Sequence, residues 1–572
     1  MEFTYKKSDN SELFSKITGK DKLDLEDPQN YIPIYTKFFS MSDTNADRMN
    51  LNNINSLSAI NSMTGTNSCN AEVTDQEDNT KSKDIFFKFS PLLDPIKYMI
   101  GKYDCSDNSM LQLPKFGTNN GHAKVNDTNN AAYVDSFFTY LSSQLLHKHD
   151  LLHSLDFYGS FLGKKNDFQV NIADDVEYLN DSPFFHQNRG SLFTVDNNFA
   201  NERFNFNTRN NKDRIKLSDQ LQDDSILQLS DIADISDLDK IFISSNDMVD
   251  TSGANLVFSC DISCNNTKKT ADSSSCSSRS SDTENEDSDD EDEDEDCDDE
   301  DEDCESGSSD YSTASEDILM ANINQFPVQV IAMEKCENTL DNLIVENEED
   351  LKDAEWGSMM IQVIMSLIAY QKCFSFTHND LHTNNIMYIP TEKQYLYYKF
   401  DGKHYKVPTF GRLYKIIDFG RAIYKFRGNV ICSDSYHPKG DAATQYNFEP
   451  YFNEKKPRLE PNSSFDLCRL GCSLYDFIID DVEESPKSPG TAAKRIIIDW
   501  CKDDKGRNIL YKNNGDERYP DFKLYKMIAR TVHKHDPTAV INKTYFSRYV
   551  VGRKKISKNA KIMNIDELPD YT

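Results

Sequence analysis

The chain has 572 residues, 37% of them apolar, and a formal net charge of −33 from 63 basic and 96 acidic side chains. At roughly 100–200 residues per domain there is room for two to four domains. The apolar share is low for a chain packed throughout, so a folded portion is expected beside long disordered tracts. Of the acidic side chains, 19 fall within the 24 positions 282–305. Outside that run the chain is only mildly acidic and has no broad basic footprint, which argues against direct contact with nucleic acid. The 13 cysteines are irregularly spaced, and Cys260 and Cys264 lack a second pair at zinc-ligand spacing. Reduced thiols fit this better than a disulfide framework. No run approaches the roughly 18 apolar residues of a membrane span. The start, Met1-Glu2-Phe3-Thr4-Tyr5-Lys6-Lys7, has no apolar signal core, so neither membrane insertion nor secretion is expected.

Residues 1–80 are rich in Asn, Ser, Asp and Thr, with apolar islands such as Tyr31-Ile32-Pro33-Ile34-Tyr35 and Phe38-Phe39. They read as an amino-terminal extension, partly disordered, with a few strands. Asp84-Ile85-Phe86-Phe87-Lys88-Phe89, stopped by Ser90-Pro91, predicts a strand. Val134, Phe137, Phe138, Leu141 and Leu145 form the stripe of an amphipathic helix over 131–149. Residues 155–161 read as another strand, which completes a unit at 81–169. From 170 to 325 the pattern collapses into a polar insertion, with a serine-rich stretch at 273–281 ahead of the acidic run. Like charges at this density repel and there is little to bury, so disorder is predicted. The acidic run reads as a solvated spacer or as a docking segment for a basic partner. Ser281 and Ser288, each with an acid three positions on, fit targets of an acid-directed kinase.

Order is expected to resume at 326–350 with the buried-type strand Val328-Gln329-Val330-Ile331-Ala332-Met333. The clearest helix runs over 355–376, where Trp356, Met359, Met360, Val363, Ile364, Leu367 and Ile368 make a wide apolar face. Asp401-Gly402 with β-prone flanks predicts a hairpin. Ser463, three positions before Asp466, reads as a capping arrangement for a helix through Leu467, Leu470, Leu474 and Phe477. A further helix is expected over 523–533. Residues 351–550 thus form a helical unit, and 551–572 a tail. The whole is α+β: a small β-rich lobe followed by a large helical one, with no regular βαβ alternation.

The strongest chemical signal is His378-Asn379-Asp380-Leu381-His382-Thr383-Asn384-Asn385. Phosphoryl transfer needs a carboxylate at the incoming hydroxyl and, a few residues on, an oxygen for magnesium. Asp380 and Asn385 suit those roles, though a polar helix-to-strand loop would also read this way. Downstream, Ile416-Ile417-Asp418-Phe419-Gly420 is an apolar strand ending in an acid, an aromatic plug and a hinge glycine, which suits Asp418 to a magnesium site.

In this order the two motifs resemble the eukaryotic-type protein kinase superfamily. The likeness covers about 326–480, with a fainter trace over 84–161. It implies a two-lobed protein-kinase-like fold, ATP and Mg2+ as cofactors, and Ser/Thr hydroxyls of a protein substrate as acceptors. His378 would then open the catalytic loop, and Asp466 of Asp466-Leu467-Cys468-Arg469-Leu470-Gly471 would brace it. A solvent-facing Asp at a helix start is the plainer alternative for Asp466. Lys88 would contact the α- and β-phosphates, unless it is an ordinary edge-strand lysine. Asp135 is the nearest substitute for the usual Glu partner of that lysine. Met333, Glu334 and Cys336 would lie at the adenine hinge, with Met333 at the gate. His382 stands where many Ser/Thr kinases place a lysine beside the γ-phosphate.

The chain departs from the family pattern in several places. No G-x-G-x-x-G precedes Lys88, and Gly65 is isolated. Asn379 replaces the Arg that pairs with a phosphorylated loop, which implies control without that phosphorylation. Phe448-Glu449-Pro450 is a loose substitute for A-P-E. The Asp380-Leu381-His382 run is similar to haspin-type kinases and to small-molecule kinases of the aminoglycoside and choline type. The Asn-rich insertions resemble kinases of giant DNA viruses, which implies the cytoplasm or nucleus of a host cell, or the virion, as location. Two alternatives stay open: a kinase-fold scaffold without catalysis, and a small-molecule phosphotransferase.

Overall fold

The computed structural model describes residues 3–105, 107, 109–118, 121–195, 319–346, 351–478, 491–513 and 515–572. The serine-rich stretch, the acidic run, and Ser281 and Ser288 lie outside the described residues.

A six-stranded antiparallel sheet dominates the first part. Its strands are β1 (Leu25–Gln29), β2 (Asn55–Met63), β3 (Ser68–Asp75), β4 (Thr80–Pro91), β5 (Phe157–Lys165) and β6 (Phe326–Glu334), in the order β1-β5-β6-β4-β3-β2. β6 sits in the middle, buried along all but its last residue. Its run of Val, Ile and Ala is what a strand covered on both faces requires. Its register against β4 sets Ile331 opposite Lys88.

Residues 1–80 are therefore not a loose extension. They supply β1, β2 and β3, and their apolar islands cover a helix. That helix, α1 (Ala131–His149), starts at Asn130, whose side chain accepts from the Ala132 N–H at 3.0 Å. It ends at Asp150 in a left-handed conformation. The predicted stripe is one face of a helix buried on every side from Ala132 to Leu145. Phe38 stacks on Phe137 at 4.9 Å, and Phe3 meets the same ring edge-on at 5.6 Å. The amino-terminal aromatics thus occupy the face a lone amphipathic helix would turn to water.

The polar insertion is also narrower than its composition suggests. Phe168–Asn171 and Phe193–Val195 flank Met320–Ile323 in a small antiparallel sheet. Phe168 stacks on Phe326 of β6 at 5.2 Å, which ties both ends of the insertion to the main sheet.

The second part is built on α2 (Asp353–Phe374), whose apolar residues face β10 (Arg412–Ile416). β10 pairs with β7 (Ile386–Pro390). Between them stands the hairpin of β8 (Tyr395–Phe400) and β9 (Lys403–Pro408), with Asp401 and Gly402 both at positive φ, 51° and 67°. That is the two-residue turn that matches strand twist. Helices α3 (Phe465–Ile478), α4 (Ala492–Trp500) and α5 (Phe522–Thr531) follow. Ser463 does not cap α3: its hydroxyl donates to Asp536. The expected tail is also packed. Met563–Asn564 lies parallel to β8, and Asp566 accepts the N–H groups of Asp401 and Gly402 at 2.7 and 3.1 Å. Among the described residues, no helix is long and apolar enough to cross a membrane.

Candidate active site

The β4–β6 register and the packing of α1 bring together three groups from distant parts of the chain. The Lys88 ammonium lies 2.7 Å from a carboxylate oxygen of Asp135 on α1 and 2.7 Å from one of Asp418, just beyond β10. Asp135 is 3% exposed and Asp418 34%, so one partner is fixed inside and the other faces open space. Burial opposes the Lys88 charge, but the two carboxylates outweigh it and raise its pKa. Burial dominates at Asp135 and raises that carboxyl, whereas at Asp418 the pull of Lys88 overcomes burial and lowers it. The other oxygen of Asp135 accepts the Phe419 N–H at 2.9 Å. The Phe419 ring is buried against Phe138, 4.7 Å between centroids. Helix α1 and the Asp418-Phe419-Gly420 segment are thereby held as one unit.

The loop after α2 is fixed from below by Asp466. Fully buried on α3, it accepts the N–H groups of His378 and Asn379, each at 2.9 Å. Asn379 takes positive φ, 65°, a conformation Asn tolerates better than most residues. It is a buried clamp: its amide donates to the carbonyls of Thr377 and Arg421, and its oxygen accepts from the Tyr446 hydroxyl at 2.7 Å. His378 Nε2 faces the Ile417 carbonyl at 2.9 Å, while Nδ1 accepts the Asp380 N–H at 3.3 Å.

Asp380 stands at the centre. The Tyr525 hydroxyl donates to its Oδ1 at 2.8 Å, and Arg421 approaches Oδ2 to 3.9 Å. Burial would raise this carboxyl, but Arg421, His382, Arg469 and the Tyr525 hydrogen bond hold it well below the usual range. The Asn385 amide donates to the Asp380 carbonyl at 2.8 Å and meets His382 Nε2 at 3.1 Å. Both amide hydrogens are thus engaged, which leaves Oδ1 as a donor for a cation. The Ile417 N–H bonds the Asn385 carbonyl at 3.0 Å, which sets Asn385 and Asp418 at one end of the β7–β10 pair. Burial pushes His382 down to about 4 against the pull of Asp380, so at neutral pH it is an uncharged ring and carries no lysine-like charge.

A cavity of about 270 Å³ opens beside Lys88, with Asn67, Phe86, Asp135, Asp418 and Gly420 in its wall. Met333, Glu334 and Cys336 do not line it. The Glu334 carboxylate is taken by buried Lys415 and by the Asp156 N–H at 2.9 Å, because a buried ammonium needs a counter-charge. The hairpin between β2 and β3 reaches the site as well: the Phe87 N–H bonds the Asn67 carbonyl at 2.7 Å. Gly65 sits in that turn, its N–H on the Ser68 carbonyl at 3.1 Å.

Tyr525, Arg421 and Arg469 escape the sequence reading. Tyr525 lies 145 positions from Asp380, and its own segment shows only helical spacing. Arg421 follows the Asp-Phe-Gly motif directly, and its neighbourhood was the one available signal.

No protein-family model matches the chain. Over 116 residues it is 32% identical to a protein of Dictyostelium discoideum described as a probable serine/threonine-protein kinase, which covers 19% of this chain and 9% of that protein. Over 108 residues it is 26% identical to an uncharacterized protein of Caenorhabditis elegans, covering 18% of this chain and 36% of the relative. The chain therefore matches only a minor part of either relative, and the first match supports a kinase relationship for the segment it covers.

Proposed function

We propose that the chain is a two-lobed, ATP-dependent protein kinase that phosphorylates Ser/Thr hydroxyls. The observation that carries this is the Lys88 ammonium, equidistant from a helix carboxylate and from the carboxylate that ends β10. A lysine fixed in that way is placed to hold phosphate oxygens next to a metal ligand. Asp380, kept anionic, would orient the acceptor hydroxyl and take its proton. Asp418 and the Asn385 oxygen are hard donors that fit Mg2+, and a bound Mg2+ would screen the phosphate charge. Among the described residues no cluster of three His, Cys, Asp or Glu is suited to a metal. The haspin-like His382, the giant-virus likeness, a host-cell or virion location and a basic partner for the acidic run belong to the same proposal.

The non-catalytic scaffold draws on one observation: the β2–β3 turn, whose Asn67 lines the cavity beside Lys88, carries a single glycine, Gly65. Calorimetric titration of the full chain with Mg·ATP tests the nucleotide site, and label transfer by the parent beside Asp380→Asn separates a kinase from a scaffold that binds nucleotide. The kinase reading expects binding that weakens about tenfold or more in Lys88→Met, the loss of one charge-assisted contact. A parent chain that takes up no Mg·ATP would sink it.

A further inference from the structure

Tyr525 is 2% exposed on α5. Its ring is packed by Phe522, stacked at 5.5 Å, and by Phe465 at 6.2 Å. Arg469 from α3 donates its Nε–H to the phenol oxygen at 3.0 Å, and the phenol donates to Asp380 Oδ1 at 2.8 Å. Because Arg469 has only donors, the single phenolic hydrogen is directed to the carboxylate. The chain Arg469, Tyr525, Asp380 is therefore polarised in one direction, and each bond strengthens the next. Burial pushes the phenol up to about 12, so it remains a donor across the working pH range.

The second oxygen of Asp380 is held differently. Arg421 lies 3.9 Å from Oδ2, close enough for charge attraction and too far for a hydrogen bond. Its other arm is tied to Asp441 at 2.5 Å, so the guanidinium is not free to close the gap.

We propose that Tyr525 is the positioning residue of this site: its hydroxyl occupies Oδ1 of Asp380 and reserves Oδ2 for the incoming hydroxyl. The proposal rests on the kinase reading. A phenylalanine would fill the same packed volume, so the hydroxyl is needed for the bridge and not for the core.

The test compares the full chain with Tyr525→Phe, Asp380→Asn and the double variant, each assayed with magnesium, γ-labelled ATP and a generic basic protein. In Tyr525→Phe, kcat should fall about tenfold or more, the loss of one hydrogen bond to a charged group. KM for ATP should stay within about twofold. In the Asp380→Asn background the same change should cost nothing further, since it acts through the missing carboxylate. Equal losses in both backgrounds, or a rise in KM for ATP that matches the fall in kcat, would reduce Tyr525 to a structural residue and overturn the proposal. If melting shows that Tyr525→Phe does not fold, Arg469→Lys replaces it, with a fall in kcat at an unchanged KM for ATP expected and no further loss in the Asp380→Asn background. A parent that transfers no label sinks the kinase reading and this role together. A parent that transfers label beside an unaffected Tyr525→Phe sinks this role alone.

Discussion

At Asp466 both carboxylate oxygens serve the backbone of a loop nearly ninety positions earlier in the chain. Each N–H it satisfies would otherwise be buried without a partner, at a cost of about 1–3 kcal/mol. Asp466→Ala should therefore lower the melting temperature markedly and abolish transfer, and Asp466→Asn, which keeps one acceptor, should fall between. Thermal unfolding of the three proteins checks this, and an Asp466→Ala protein as stable as its parent would refute the bracing role. At this scale the sequence is readable wherever chemistry is packed into a short run. Asp380 and Asn385 are five positions apart, and the types of residue needed can be recognised directly. Tyr525 and Arg469 are not readable in that way, because a tyrosine at a helix-core position looks the same whether its hydroxyl meets solvent or a carboxylate.

Elements are tied to one another by buried polar contacts that no periodicity reveals. His153, fully buried ahead of β5, meets the Tyr414 carbonyl with Nδ1 at 2.8 Å and the Tyr398 hydroxyl with Nε2 at 2.7 Å. It thus joins the sheet part to both β10 and the β8–β9 hairpin. Burial pushes its pKa from 6.5 down to about 4. The unfolded chain binds this proton more readily, so the contribution to stability is complete above about pH 6.5 and is lost as pH falls toward 4. A shift of that size amounts to about 3 kcal/mol over the full window. His153→Gln should flatten the fall in melting temperature between pH 7 and 5, and an unchanged pH dependence in the variant would contradict the assignment. The helix over 131–149 and the Asp401-Gly402 turn were legible because propensity, capping and turn chemistry agree locally. The full burial of α1 was not, since its outer face is covered by Phe3 and Phe38 from a segment more than ninety residues away.

Across the molecule, the charge imbalance concentrated at 282–305 says little about the folded part, where the strands of the first 80 residues and the last dozen residues close the core. Tyr571 stacks on Phe374 of α2 at 5.7 Å, and its carbonyl accepts the Arg427 N–H at 2.8 Å. Low local apolarity hid these segments, because sparse islands such as 31–35 and 563–568 become core only when strands far apart in sequence pair. The central claim is that Lys88, Asp135, Asp380, Asn385 and Asp418 form one phosphotransfer centre. The most direct measurement incubates the full chain and Asp380→Asn with magnesium, γ-labelled ATP and a basic protein substrate. The account predicts label on Ser or Thr of the substrate with the parent and a loss of at least about a hundredfold with the variant. Equal transfer by both proteins, or none by the parent, would contradict it.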